Sequence, residues 1–228
     1  MSRYAAIVFD LDGTLIDSYD AVTASMNAAR EAFGLAPLPR EQVVCRVGEP
    51  LEALVAELVG DDVERGVRCF RETYARLFLE RSRPLPHAAE TLRELAGAGL
   101  RLAVASNKPS RFGRRLLEAF SLAPPVEIVL GPESRMPPKP DPRMIRRALE
   151  LLGTPLEQGL YVGDVPLDLT SAERAGVDVA LVATGGADRA ALEGRAAPVF
   201  DDLRGLCEWL NGRHPRMTPG QKATNIAG

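Results

Sequence analysis

Ala5-Ala6-Ile7-Val8-Phe9-Asp10-Leu11-Asp12-Gly13-Thr14 holds an unbroken apolar run followed at once by two carboxylates and a glycine. The run is short, does not alternate with polar residues, and is bounded by charge. That is the pattern of a strand buried on both faces of a parallel sheet. In an open α/β sheet, ligands sit at the carboxyl ends of the strands, which is where Asp10 and Asp12 fall. Two carboxylates at i and i+2 in a tight turn can converge on one ligand, and Gly13 lets the backbone approach closely. Such a pair suits a hard cation such as Mg²⁺, or a nucleophile beside an acid/base. A polar turn capped by aspartates has the same residues. The full D-x-D-G-T string is rarer than D-x-D, with on the order of 10⁻³ chance occurrences in a chain of this length.

Outward from this stretch, apolar runs recur at Leu100–Ala105, Val126–Leu130, Leu160–Val162 and Val179–Val182. Helical patterns lie among them at Ala88–Ala96, Phe112–Phe120, Arg143–Leu152 and Leu169–Ala175. The alternation predicts an α/β fold with right-handed crossovers. From about Asp17 to Ser82 the rhythm breaks and no strand run is found. Helical patterns at Ala21–Phe33 and Leu51–Val59 are followed by a long one from Asp62, where Val63, Val67, Phe70, Tyr74 and Leu77 share one face. Asp61 or Asp62 is a candidate cap for it. The expected organisation is an α/β core from 1–16 and 84–211, an inserted helical unit at 17–83, and a hinge at Arg83-Pro84-Leu85-Pro86. The tail, 212–228, is polar, lacks periodicity and is expected to be disordered.

Composition narrows the function. The chain has 228 residues, with 28 Lys+Arg against 31 Asp+Glu, a net charge of −3, and 46% apolar residues. That is enough for a sizeable core, and the charge balance argues against nucleic acid or an anionic membrane as the main partner. The three cysteines are scattered and no C-x-x-C pair occurs, so neither a disulfide framework nor a cysteine zinc site is expected. The two histidines are far apart. No stretch approaches the ~20 apolar residues of a membrane helix, and the N-terminus lacks the pattern of a signal peptide. A cytoplasmic setting is the expectation.

D-x-D-G-T behind an N-terminal strand resembles the first motif of the haloacid dehalogenase superfamily of phosphatases. Three further segments resemble its remaining motifs, in order. Ala105-Ser106-Asn107-Lys108 ends the second core strand with a hydroxyl, 96 residues after Asp10. Pro138-Lys139-Pro140-Asp141-Pro142 resembles the family's K-P-x-P loop, and Gly163-Asp164-Val165-Pro166-Leu167-Asp168 its G-D-x-x-x-D element. The family often has Ser or Thr where this chain has Val165-Pro166. The resemblance implies a doubly wound, Rossmann-like parallel sheet with the first strand central and a helical cap inserted between the first two motifs.

It also implies chemistry. Asp10 is expected to attack phosphorus and form an aspartyl-phosphate, and Asp12 to protonate the leaving oxygen and then deprotonate water. Mg²⁺ would be held by the Asp10 carboxylate, the Asp12 backbone carbonyl and Asp164, with Gly163 and Asp168 in support. Ser106 and Lys139 would stabilise the transferred group, with Gly13, Thr14 and Asn107 binding substrate. Relatives that act as dehalogenases lack the second Asp of D-x-D, so Asp12 points to phosphate ester or anhydride cleavage. Arg46-Val47-Gly48-Glu49-Pro50-Leu51 resembles the V-G-x-P-L loop of phosphoglycolate phosphatases and related pyrophosphatases. Arg46 and Gly48 are therefore expected at the substrate, with a carboxylate partner for Arg46. Relatives that are mutases usually carry a His in the first cap helix, where Val22 stands here. The implied activity is a Mg²⁺-dependent phosphatase of a small phosphorylated metabolite, 2-phosphoglycolate foremost. Pyrophosphate and phosphosugars are the alternatives on the same scaffold, and a non-catalytic phosphate-binding protein is the contrasting class.

Overall fold

The computed structural model describes residues 3–132 and 136–212, so the tail beyond Gly212 lies outside the described residues. The strands are β1 (Ala6–Phe9), β2 (Ile16–Asp17), β3 (Arg83–Pro84), β4 (Arg101–Ala105), β5 (Val126–Leu130), β6 (Gly159–Gly163), β7 (Asp178–Val182) and β8 (Val199–Phe200). Six of them form one parallel sheet in the order β5-β4-β1-β6-β7-β8. β1 is central, with Phe9 opposite Val104 of β4 on one side and Val162 of β6 on the other. The chain runs outward in opposite directions from β1, so the ends of β1, β4 and β6 meet at the topological switch point of a doubly wound sheet.

The helices are α1 (Tyr19–Glu31), α2 (Arg40–Val44), α3 (Leu51–Leu58), α4 (Val63–Leu77), α5 (Ala88–Gly97), α6 (Ser110–Ala119), α7 (Arg143–Leu151), α8 (Pro166–Ala175), α9 (Arg189–Leu192) and α10 (Leu203–Leu210). Side chains alternate across each strand, which explains why the apolar runs are continuous. Ile7, Phe9, Leu102, Val104 and Val162 share one cluster with residues of α5, α6 and α10. Val8, Ala103 and Tyr161 face the other way, onto Met144, Ile145 and Leu149 of α7 and Ala172 of α8. Each large apolar side chain so buried contributes about 1.5–3 kcal/mol.

Between β2 and β3 the chain forms α1–α4. α1 packs on α4 and α2, and α3 packs on α4. Asp62 caps α4 by accepting from the Arg65 N–H at 3.1 Å. Val67, Phe70 and Tyr74 form its buried stripe. Tyr74 and Phe78 meet Phe112 of α6 with ring centroids 5.2 and 4.9 Å away, edge to face, which seats this unit on the core. The two chain crossings lie side by side as an antiparallel pair, Ile16 opposite Pro84 and Asp17 opposite Arg83.

The two-residue strands β2, β3 and β8, and the helices α2, α9 and α10, are additions to the elements read from the sequence. Two residues cannot display a period, and α2 and α9 are five and four residues long. Among the described residues no helix is long and apolar enough to cross a membrane.

Candidate active site

Asp10 follows the last residue of β1, Ser106 the last of β4, and Asp164 the last of β6. Parallel pairing in this register sets all three side by side. Asp10 continues the ladder by donating its N–H to the Val162 carbonyl at 2.8 Å, and its side chain is 2% exposed. Lys139, on the loop before α7, is fully buried, with Nζ 2.9 Å from Asp10 Oδ1 and 2.7 Å from Asp168 Oδ1. The contact to Asp10 is an ion pair without the angles of a good hydrogen bond, whereas that to Asp168 is a full hydrogen bond.

Each anchoring partner has a reason to be there. Asp168 sits on the first turn of α8, and its Oδ2 accepts the N–H groups of Asp164 at 3.0 Å and Val165 at 3.2 Å, which are unpaired donors at a helix start. The carboxylate thereby fixes both the strand end that bears Asp164 and the ammonium of Lys139. Tyr161, buried in β6, donates to the Ala105 carbonyl at 3.0 Å and lies 3.1 Å from Lys139 Nζ. Asp164 accepts from Thr14 Oγ1 at 3.0 Å and from the Gly186 N–H at 3.2 Å.

Asp12 is oriented by two donors. Ser18 Oγ lies 2.5 Å from its Oδ1 and Lys108 Nζ 3.0 Å from its Oδ2. The turn that follows Asp12 closes through the Gly13 N–H to the Ile16 carbonyl at 2.8 Å, with Gly13 at φ +81°. A Cβ at Gly13 would lie 2.2 Å from Asp164 Oδ2, so a glycine is required on two counts.

Electrostatics follow from burial. Desolvation pushes Asp10 up to about 6, against the pull of the Lys139 charge. Asp164 is driven well above the ordinary carboxylate range, by burial first and then by Asp168 and Asp10. Burial alone would lower Lys139, but the charges of Asp10 and Asp168 outweigh it and hold it above the usual lysine range. Four carboxylates (Asp10, Asp12, Asp164 and Asp168) face two ammonium groups (Lys108 and Lys139), an excess of two negative charges when all are ionised.

That excess is the test for a metal. Asp10, Asp164 and Asp168 each place a carboxylate oxygen within 4.8 Å of the others. The donors are all oxygen and their net charge matches a divalent ion, so the residues fit a hard cation. Asp168 already has Lys139 and two N–H groups as partners, which leaves Asp10 and Asp164 as the carboxylates with capacity for it. Tyr19, the first residue of α1, is 4% exposed, and its hydroxyl lacks a hydrogen-bond partner while standing near the cluster. The fit to a cation's hydration sphere is apparent in that orphaned hydroxyl.

The structure brings together Asp10, Asp12, Gly13, Ser106, Lys139, Gly163, Asp164 and Asp168. Two expectations change. Thr14 is wholly buried and spends its hydroxyl on Asp164, so it positions that carboxylate. Arg46 is not aimed into the site: it pairs with Glu49 and Glu57, where two nearby carboxylates satisfy its fork. Gly48, two residues on, does border the cavity. The Asn107 side chain bonds the Gly48 carbonyl at 2.8 Å and the Lys139 N–H at 2.7 Å, tying three loops together.

Lys108, Tyr161, Ser18 and Tyr19 escaped the sequence reading. Lys108 directly follows the Ser106-Asn107 pair, and Tyr161 is a phenol in a buried strand that needs a polar partner. Those were the available signals. Above Asp10 and Asp12 lies a cavity of about 90 Å³, walled by Val22 and Leu51 with Phe70, Tyr74 and Phe112.

The chain matches the family described as haloacid dehalogenase-like hydrolase over residues 7–182. It is 36% identical over 222 residues to a phosphoglycolate phosphatase of Rhodospirillum rubrum, covering 92% of each chain. It is 32% identical over 180 residues to a phosphoglycolate phosphatase of Aquifex aeolicus, covering 78% of this chain and 84% of that one. Among solved structures, a hydrolase from Pseudomonas syringae superposes with a TM-score of 0.79 at 26% identity, over 91% of this chain and 98% of that one.

Proposed function

The chain belongs to the haloacid dehalogenase-like hydrolases, and we propose that it is a Mg²⁺-dependent phosphatase of a small phosphorylated metabolite, with 2-phosphoglycolate as substrate. One observation carries this reading: a buried carboxylate, Asp10, held 2.9 Å from Lys139 on the floor of a small cavity that Asp12 and Ser106 also line.

In the proposed mechanism an Asp10 oxygen attacks phosphorus in line with the leaving oxygen, and the bond to the leaving group breaks as an aspartyl-phosphate forms. Asp12, set two residues on and steered by Ser18 and Lys108, delivers a proton to the leaving oxygen. It then takes one from the water that attacks phosphorus and returns Asp10. Lys139 and Ser106 neutralise charge on the transferred group. Asp10 and Asp164, with the Asp12 backbone carbonyl, would hold Mg²⁺. When bound, the cation screens the repulsion between the phosphoryl oxygens and the carboxylates.

Val22, Leu51, Leu54, Phe70 and Phe112 bound the cavity beside Asp12, and a small leaving group is the reading this supports. Residues 17–83 are read as the cap over the site, with Gly48 and Val47 at its rim. Cys45, Cys69 and Cys207 are all free thiols, and a reducing cytoplasm is the setting that fits them.

The test is a phosphate-release screen with 2-phosphoglycolate, pyrophosphate and hexose phosphates, each with Mg²⁺ and with chelator. The expected result is cation-dependent release fastest from 2-phosphoglycolate. Release from none of them in the presence of Mg²⁺ would overturn the reading in favour of a binding protein.

A further inference from the structure

Lys108 is the second buried lysine of the site, and the proposed mechanism gives it only a steering part. Its side chain is 5% exposed. Three contacts hold it. Nζ is 3.0 Å from Asp12 Oδ2, it hydrogen-bonds the Tyr74 hydroxyl, and it stands 4.3 Å from the centroid of the Tyr74 ring. A buried ammonium needs a counter-ion, because desolvating an unpaired charge is very costly. In the free protein that counter-ion is Asp12, the same carboxylate that must face the leaving oxygen during turnover. Arg71 also borders the cavity, but it pairs with Glu52 at 2.9 Å. The remaining wall beside Lys108 is largely apolar, including Leu54, Phe70 and Phe112.

We propose that Lys108, held by Tyr74, is the residue that selects substrates whose leaving group carries a carboxylate close to the scissile oxygen. This rests on the phosphatase reading above and deepens it. The geometry supplies the reason. Asp12 addresses the bridging oxygen, and Lys108 lies one ion-pair distance from Asp12 on the wall of the same cavity. In a phosphorylated 2-hydroxy acid the carboxylate carbon is two bonds from the bridging oxygen, so it reaches the ammonium while Asp12 reaches the ester. The substrate then brings its own counter-ion for Lys108, and Asp12, no longer paired, takes up from solvent the proton that it hands to the leaving oxygen. A neutral leaving group brings none, and Lys108 stays on Asp12. Tyr74 lies on α4 and Lys108 on the loop after β4, so the contact also joins the cap to the core at the point of recognition.

The experiment compares 2-phosphoglycolate with ethyl phosphate, in which a methyl group replaces the carboxylate. kcat and KM are measured for the wild-type protein and for Lys108→Met, Lys108→Arg and Tyr74→Phe. The wild type is expected to prefer 2-phosphoglycolate in kcat/KM. Lys108→Met should shrink that preference by about tenfold to a hundredfold, the worth of a charge-assisted hydrogen bond. Lys108→Arg should restore part of it, and Tyr74→Phe should shrink it less. Should Lys108→Met fail to fold, the arginine and phenylalanine variants still decide. A preference unchanged by Tyr74→Phe and equal in Lys108→Arg and wild type would overturn the proposal in that case, as would an unchanged preference in a folded Lys108→Met. Equal turnover of both esters by the wild type would overturn it while leaving the phosphatase reading intact. If the wild type hydrolyses neither ester, 2-phosphoglycolate fails as the substrate, and calorimetric binding of the two esters decides on Lys108 alone. Tighter binding of 2-phosphoglycolate, lost in Lys108→Met, supports it, and equal binding rejects it.

Discussion

Lys139 Nζ and Asp168 Oδ1 lie 2.7 Å apart with neither side chain exposed, and through this pair the fold holds the charged centre of the site in place. Asp168 meanwhile grips the N–H groups at the start of α8. One carboxylate thus links a helix terminus, a strand end and the lysine beside Asp10.

Replacing Lys139 with Met leaves Asp10 and Asp168 buried without their cation. Breaking such a pair costs about 3–5 kcal/mol. Urea unfolding should show a loss of that size together with loss of phosphate release. A variant within about 1 kcal/mol of wild type would mean the pair is not the anchor described here.

Mg²⁺ stabilisation should grow with pH. The folded Asp10 carboxyl stands at about 6 against 3.8 for its free form, so between those values the folded state binds more protons than the unfolded one. Its contribution is full below about 3.8 and is lost as pH rises through about 6. Asp164 shifts in the same direction. A cation favours the ionised carboxylates and offsets that loss. The increase in Tm on adding Mg²⁺ should therefore be small at acid pH and larger at neutral pH. A constant increment across that range would contradict this assignment of the ligands.

Gly185 packs against Asp164, where a Cβ would fall 1.7 Å from Oδ2. Gly185→Ala should displace that carboxylate and weaken Mg²⁺ binding by at least about tenfold, as expected for a disturbed outer contact, with the cooperative unfolding of the sheet retained. Calorimetric titration with Mg²⁺ measures this directly. Unaltered affinity would remove Asp164 from the ligand set.

Asp10→Asn keeps the shape of the side chain and removes its nucleophilic charge. Phosphate release should fall below about a thousandth of wild type, with far-UV circular dichroism unchanged. Retention of more than about a tenth of the rate would count against Asp10 as nucleophile.

Much of the core was legible because burial on both faces leaves a plain mark. The runs at Ile7–Phe9 and Leu160–Val162 are continuous because β1 and β6 are buried on both faces, and the loops that follow β1, β4 and β6 hold the motif residues. Val199-Phe200 was not legible, since a two-residue edge strand is defined by its neighbour β7. In the site, chain position told which residues end a strand but not where a long side chain turns. Arg46 finds Glu57 eleven residues on, and Lys108 finds Tyr74 of α4. Both pairings are set by tertiary packing of the helical unit.

The most direct measurement of the central claim is the stereochemical course at phosphorus, using a phosphorothioate analogue of the substrate made chiral at phosphorus by sulfur and oxygen isotopes and hydrolysed in water carrying a further oxygen isotope. Attack by Asp10 followed by attack of water is two in-line displacements, and the account predicts retention of configuration in the product thiophosphate. Inversion would mean that water attacks the substrate directly and that Asp10 never bears the phosphoryl group.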